Sequence, residues 1–126
     1  MKKVLLDTSF ILAGVENKIQ FIDELLFLGM KIIIPKQVIE EIKKVSNSNK
    51  KQKIKQVANS ALKIIEKEKS KFQNIELEGR GYTDKVIIKF LKKNKSTGIA
   101  TLDKELKAKI QNFKVIIRNK KNLEIL

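Results

Sequence analysis

Lys31-Ile32-Ile33-Ile34-Pro35 carries three consecutive isoleucines and stops at the only proline of the chain. A strand with one wet face alternates apolar and polar residues. An uninterrupted β-branched run instead suits a strand buried on both faces, as in a parallel sheet covered by helices. The neighbouring sequence agrees. Before the run, Ile19, Ile22, Leu25 and Leu26 give helical spacing to Lys18–Leu28, which Gly29 closes as a helix C-terminal glycine. After it, Pro35 precedes a helix over Gln37–Val45. Upstream, Val4–Asp7 reads as a second short buried strand ending in Asp-Thr-Ser, with Phe10-Ile11-Leu12 opening the next element. Ser46-Asn47-Ser48-Asn49-Lys50-Lys51 is a polar break, and Ile54–Lys69 is a long amphipathic helix. Further on, Ile75–Leu77 reads as a short strand, Gly79-Arg80-Gly81-Tyr82 as a turn and Thr83–Lys93 as a helix. Gly98–Leu102 is a strand, Lys104–Ile110 a helix and Lys114–Ile117 a strand. Strands alternating with helices predict an α/β fold of three layers, α/β/α, around a mainly parallel sheet of about five strands.

At 126 residues the chain is the size of one domain, read here as spanning 1–126. No apolar run approaches the ~18 to 20 residues of a membrane span. Met1-Lys2-Lys3 begins like a signal peptide, but Asp7 breaks the apolar stretch early, so a cytoplasmic protein is expected. The chain has no cysteine and no histidine. Disulfides, Cys/His zinc sites, thiol nucleophiles and histidine triads are therefore excluded. Any metal must sit on oxygen ligands, which favours Mg²⁺ or Mn²⁺. A formal charge of +14, from 28 Lys and Arg against 14 Asp and Glu, attracts polyanions, of which a nucleic-acid backbone is the commonest. The excess is nearly all lysine, suited to phosphate contact rather than base reading. It is densest from Lys43 to Lys71, where ten lysines face only Glu66 and Glu68. Phosphate loops and dinucleotide fingerprints are missing, so a nucleotide cofactor is unsupported.

Four acids stand apart from this basic background. Ligands of open α/β sheets bind beyond the carboxyl ends of the strands, where Asp7 and Asp103 both fall. Each alone has an ordinary explanation as a turn residue or helix N-cap. On the helix carrying Val38, Ile39, Ile42 and Val45, Glu40 points to solvent. Glu41 lies at the border of the apolar face, from which it can reach a sheet edge. Asp84 shares a face with Ile87, Ile88 and Leu91, a placement the helix dipole also favours. Grouped carboxylates without cationic partners either raise a pKa or bind a cation.

These stretches resemble the successive motifs of the PIN-domain family. Val4-Leu5-Leu6-Asp7-Thr8-Ser9, Pro35-Lys36-Gln37-Val38-Ile39-Glu40-Glu41-Ile42, Thr83-Asp84-Lys85-Val86-Ile87 and Ala100-Thr101-Leu102-Asp103-Lys104-Glu105-Leu106 occur in the family's order across almost the whole chain. The resemblance implies a metal-dependent ribonuclease whose acidic quartet is Asp7, Glu41, Asp84 and Asp103, assisted by Ser9 or Thr101. On that reading one or two Mg²⁺ or Mn²⁺ ions sit on the quartet, while Lys43, Lys44, Lys50, Lys51, Lys53 and Lys55 hold RNA. Within the family, the Gly81–Asp84 turn, the Ala100–Lys107 stretch and the Asn119–Leu126 end look most like archaeal relatives of the nuclease that processes small-subunit ribosomal RNA. That group commonly has two adjacent aspartates where this chain has Asp84-Lys85. Ribosomal RNA processing is the role expected first. A VapC-like toxin, silenced by a small antitoxin, and a non-catalytic RNA-binding ribosome-assembly factor are the alternatives. A homodimer is compatible with each.

Overall fold

The computed structural model describes residues 2–126. Six strands, β1 (Lys3–Leu6), β2 (Lys31–Pro35), β3 (Gln73–Ile75), β4 (Thr97–Ala100), β5 (Lys114–Arg118) and β6 (Asn122–Ile125), form one sheet in the order β3-β2-β1-β4-β5-β6. All neighbours pair in parallel except β5 and β6. The helices are α1 (Thr8–Glu16), α2 (Phe21–Phe27), α3 (Lys36–Ser46), α4 (Gln52–Lys67), α5 (Thr83–Lys93) and α6 (Lys104–Ala108). From β1 the chain winds through α1–α4 to β2 and β3, then returns through α5 and α6 to β4 and β5 on the other side. Right-handed crossovers in these two directions put the two groups of helices on opposite faces. Accordingly, α1, α3 and α4 pack against one another. The isoleucine run behaves as its composition dictates: Ile32, Ile33 and Ile34 are all buried, in register with β1 on one side and β3 on the other.

Local chemistry sets the element ends. The helix read over Lys18–Leu28 is shorter, because α1 ends in a Schellman turn that uses up Lys18 and Ile19. The Lys18 N–H donates to Val15 O at 3.1 Å and the Ile19 N–H to Gly14 O at 2.9 Å, with Lys18 at φ 57°. Gly29 closes α2 in the same way, its N–H bonded to Leu26 O at 2.9 Å and that of Met30 to Leu25 O at 3.1 Å. The sheet has one strand more than the expected five. Arg118 and Asn122 pair across a tight turn in which Asn119 and Lys120 both take positive φ, 55° and 57°. That is the backbone of the primed hairpin turn, here formed by Asn-Lys rather than the recognisable Asn-Gly.

Asn112 fastens the α5–β4 connection to β5. Its buried side-chain amide donates to Leu91 O (3.0 Å), Asn94 O (3.0 Å) and Thr97 O (2.7 Å). Carbonyls stripped of a donor in a buried setting cost about 1–3 kcal/mol each. Asn112→Ala is therefore expected to lower unfolding stability by about 2–3 kcal/mol, read as a fall in the urea midpoint. An unchanged midpoint would remove this fastening from the description.

Candidate active site

The strand order reverses its direction of growth between β1 and β4, which makes their carboxyl ends the natural ligand crevice. Leu6 pairs with Ala100, and the next residue's N–H, that of Asp7, bonds to Ala100 O at 2.9 Å. Asp7 thus sits beside Thr101, and only 5% of it is exposed. Its Oδ2 accepts from Thr101 Oγ1 at 2.8 Å and Ser9 Oγ at 3.2 Å. The two hydroxyls are also 3.1 Å apart. They serve the backbone too: Ser9 Oγ accepts from the Leu102 N–H and Thr101 Oγ1 from the Asp103 N–H, each at 3.1 Å. The strand end is locked from both sides.

Asp103 caps α6 as its position predicts, Oδ1 accepting from the Glu105 and Leu106 N–H groups at 2.9 and 3.2 Å. The ordinary explanation therefore holds for part of this side chain. Glu41 is half-buried on α3 and accepts a hydrogen bond from the Thr8 hydroxyl. Glu40 is exposed and pairs with Lys43 at 3.6 Å, as helical phase requires. Thr8 is the polar contact that reading by residue type passed over. It stands inside the Asp7-Thr8-Ser9 motif, and its position on the first turn of α1 was the available signal.

Asp84 occupies the first turn of α5. Its neighbours on the apolar side, Ile87 and Leu91, are fully buried, whereas Asp84 itself is exposed. The expected inward face therefore runs out over the strand ends at this first turn. Even so, partial desolvation raises its pKa, reinforced by the charges of Asp103 and Glu41, opposed by Lys109 and reinforced again by Glu105. The Asp7 carboxyl is also raised, first by burial. Hydrogen bonds from Thr101, the Thr8 backbone and Ser9 lower it, and the charge of Asp84 adds to the rise. Asp84 is thus coupled to each of the other three acids.

Oxygen donors under mutual repulsion are what a hard divalent cation relieves, so chemistry and charge fit such an ion. No three acidic side chains among the described residues lie close enough to hold one as they stand. Closing around an ion would need the outer carboxylates to turn inward. Of the basic residues singled out, Lys43, Lys44, Lys50, Lys51 and Lys53 are exposed and Lys55 half-buried, around the α3–α4 connection. Lys53 also pairs with Glu16 at 3.7 Å. No helix among the described residues is long and apolar enough to cross a membrane.

A family model described as a PIN-like domain matches residues 4–121. Ribonuclease VapC4 of Methanocaldococcus jannaschii is 31% identical over 134 aligned positions, covering 99% of this chain and 97% of that protein. Among solved structures, the PIN domain endonuclease Utp24 superposes with a TM-score of 0.78 at 22% identity, covering 98% of this chain and 90% of that one. A domain of a functionally unknown protein from Methanocaldococcus jannaschii gives 0.60 at 22% identity, with 94% and 92% covered. At that identity the two structures speak to the fold alone.

The raised carboxyls fix how stability depends on pH. Asp7 and Asp84 hold a proton more readily in the folded chain than in the unfolded one. Their contribution is favourable below the ordinary aspartate pKa of about 3.9 and is lost as pH rises through the raised values. Asp84→Asn removes a repelled charge from an exposed position. In EDTA at neutral pH it is expected to raise stability by about 0.2–1 kcal/mol, the range of exposed charge interactions. The gain over wild type disappears once the medium is acid enough to protonate Asp84. A loss of stability at neutral pH would contradict the repulsion.

Proposed function

This chain belongs to the PIN-like domain family, and on that premise we propose that it is a metal-dependent endoribonuclease hydrolysing RNA phosphodiester bonds. One observation carries the reading: Asp84 shares its charge field with Asp7, Glu41 and Asp103 beyond the strand ends of β1 and β4. Asp7, Glu41, Asp84 and Asp103 would hold Mg²⁺ or Mn²⁺. Such an ion supplies Lewis-acid polarisation of a phosphate and a lowered pKa for a bound water.

The chain's own groups divide the remaining work. Ser9 and Thr101 fix the orientation of Asp7, so this carboxylate is set before any substrate arrives. Thr8 holds Glu41 in a parked position against α1. Asp103 keeps one oxygen engaged in capping α6. The exposed Asp84 is the carboxylate freest to move. The lysines from Lys43 to Lys55 draw the RNA backbone towards an edge that would otherwise repel it.

The resemblance to nucleases of small-subunit ribosomal RNA supports maturation of ribosomal RNA as the cellular role. A second reading, a VapC-like toxin with an antitoxin partner, is favoured by the 31% identity to Ribonuclease VapC4 over nearly the full chain. Expression in cells separates the two roles. Growth arrest relieved by a small protein encoded next to this gene marks the toxin. Accumulation of unprocessed small-subunit precursor on deletion marks the maturation enzyme.

Cleavage of RNA in Mn²⁺ is expected to fall by about 100-fold or more in Asp7→Asn and Asp103→Asn, since even outer-shell partners of metal ligands cost about 10–100-fold. Asparagine is as good an N-cap as aspartate, so Asp103→Asn keeps α6 while losing the charge. Undiminished cleavage in both variants would sink the assignment. Thr101→Val keeps the shape of the side chain and is expected to reduce cleavage by about 10–100-fold through loss of the Asp7 bond.

A further inference from the structure

On the face of the sheet away from α3 and α4, a cleft of about 550 Å³ opens between α5 and the segment that follows α6. Its floor is the partly exposed Ile88 over the buried Leu91 and Ile110, and its rim carries Lys92, Lys95 and Lys109. Ile88 follows Asp84 by four residues and Lys92 follows Ile88 by four, with Leu91 beside it, while Lys95 lies just beyond the last residue of α5. The cleft therefore lies on the same stripe of α5 as the acid at its first turn, one helix length away.

Lys92, Lys95 and Lys109 form no ion pair among the described residues, as is also true of Lys44, Lys50, Lys51 and Lys55 beside the α3–α4 connection. Lys92, Lys95 and Lys109 are exposed, so their charges stand free around the hollow. They match a ligand that has both an anionic backbone and flat apolar faces, which describes single-stranded RNA.

We propose that the α5–α6 cleft is a strand-tracking subsite. It takes one unpaired nucleotide of the RNA on one side of the bond to be cut, its base over Ile88 and the methylene stems of the rim lysines and its phosphate between Lys92, Lys95 and Lys109. The proposal rests on the ribonuclease reading for its orientation relative to the acids. RNA then crosses the sheet edge, with the α3–α4 lysines on one flank and this cleft on the other.

The test is anisotropy of a short fluorescent single-stranded RNA in EDTA, where nothing is cut. It compares wild type, Lys92→Ala/Lys95→Ala, and a control pair on α4, Lys63→Ala/Lys67→Ala. The cleft variant is expected to bind about tenfold more weakly. Its dependence of log K on log salt is expected to fall in slope by about 0.7, the value for one phosphate contact on a single strand. The control is expected to stay within about twofold of wild type. In parallel, RNA is expected to shield Lys92 and Lys95 of the wild type from acetylation. Equal losses in both variants, no loss in the cleft variant, or unshielded lysines would each overturn the subsite. The wild type's cleavage in Mn²⁺ is scored separately. Absent cleavage with a working cleft defeats the ribonuclease reading alone, and cleavage with an indifferent cleft defeats the subsite alone.

Discussion

A buried carboxylate without a cationic partner organises this molecule. Asp7 lies at the end of the central strand β1, held by the Thr101 and Ser9 hydroxyls, and no lysine or arginine among the described residues forms an ion pair with it. Hydrogen bonds soften the cost of burying that charge without removing it, as its raised pKa records. A chain selected for stability alone would place an apolar residue or asparagine there. Everything around the position bends towards keeping the acid: β1 and β4 run in register up to it, α1 starts immediately after it, and the hydroxyls that hold it also hold the next turn of backbone.

Around that fixed point the acids grade from buried to exposed. Asp7 is locked, Asp103 is half-committed to capping α6, Glu41 is parked on Thr8, and Asp84 stands in solvent under the repulsion of the others. This spread explains how four carboxylates can share one field without a preformed cage. The field is set in a chain of formal charge +14, so a polyanion is drawn to the molecule as a whole while the sheet edge itself repels it. A cation at the edge reverses that local repulsion, which is the physical reason that metal and RNA belong to one proposal.

Much of this was legible in the residues. The isoleucine run announces a doubly covered strand, and helical phase separates Glu41 from Glu40. What escaped has identifiable causes. The sixth strand hid behind an Asn-Lys turn that lacks the usual glycine, and a lysine in the left-handed conformation ended α1 where glycine would have advertised the stop. Periodicity puts Asp84 on the apolar face of its helix, but it does not tell where the sheet beneath that face ends. The Thr8 contact and the cleft beyond Asp84 are properties of packing between elements distant in sequence, which no local pattern encodes.

Calorimetric titration of Mn²⁺ into wild type and Asp7→Asn probes the acid edge most directly, because it asks for the ion itself rather than for catalysis. Carboxylate-dependent heat in the wild type that vanishes or weakens steeply in Asp7→Asn is the predicted result. Indistinguishable isotherms, or no binding by the wild type at millimolar metal, would contradict a metal site built on Asp7.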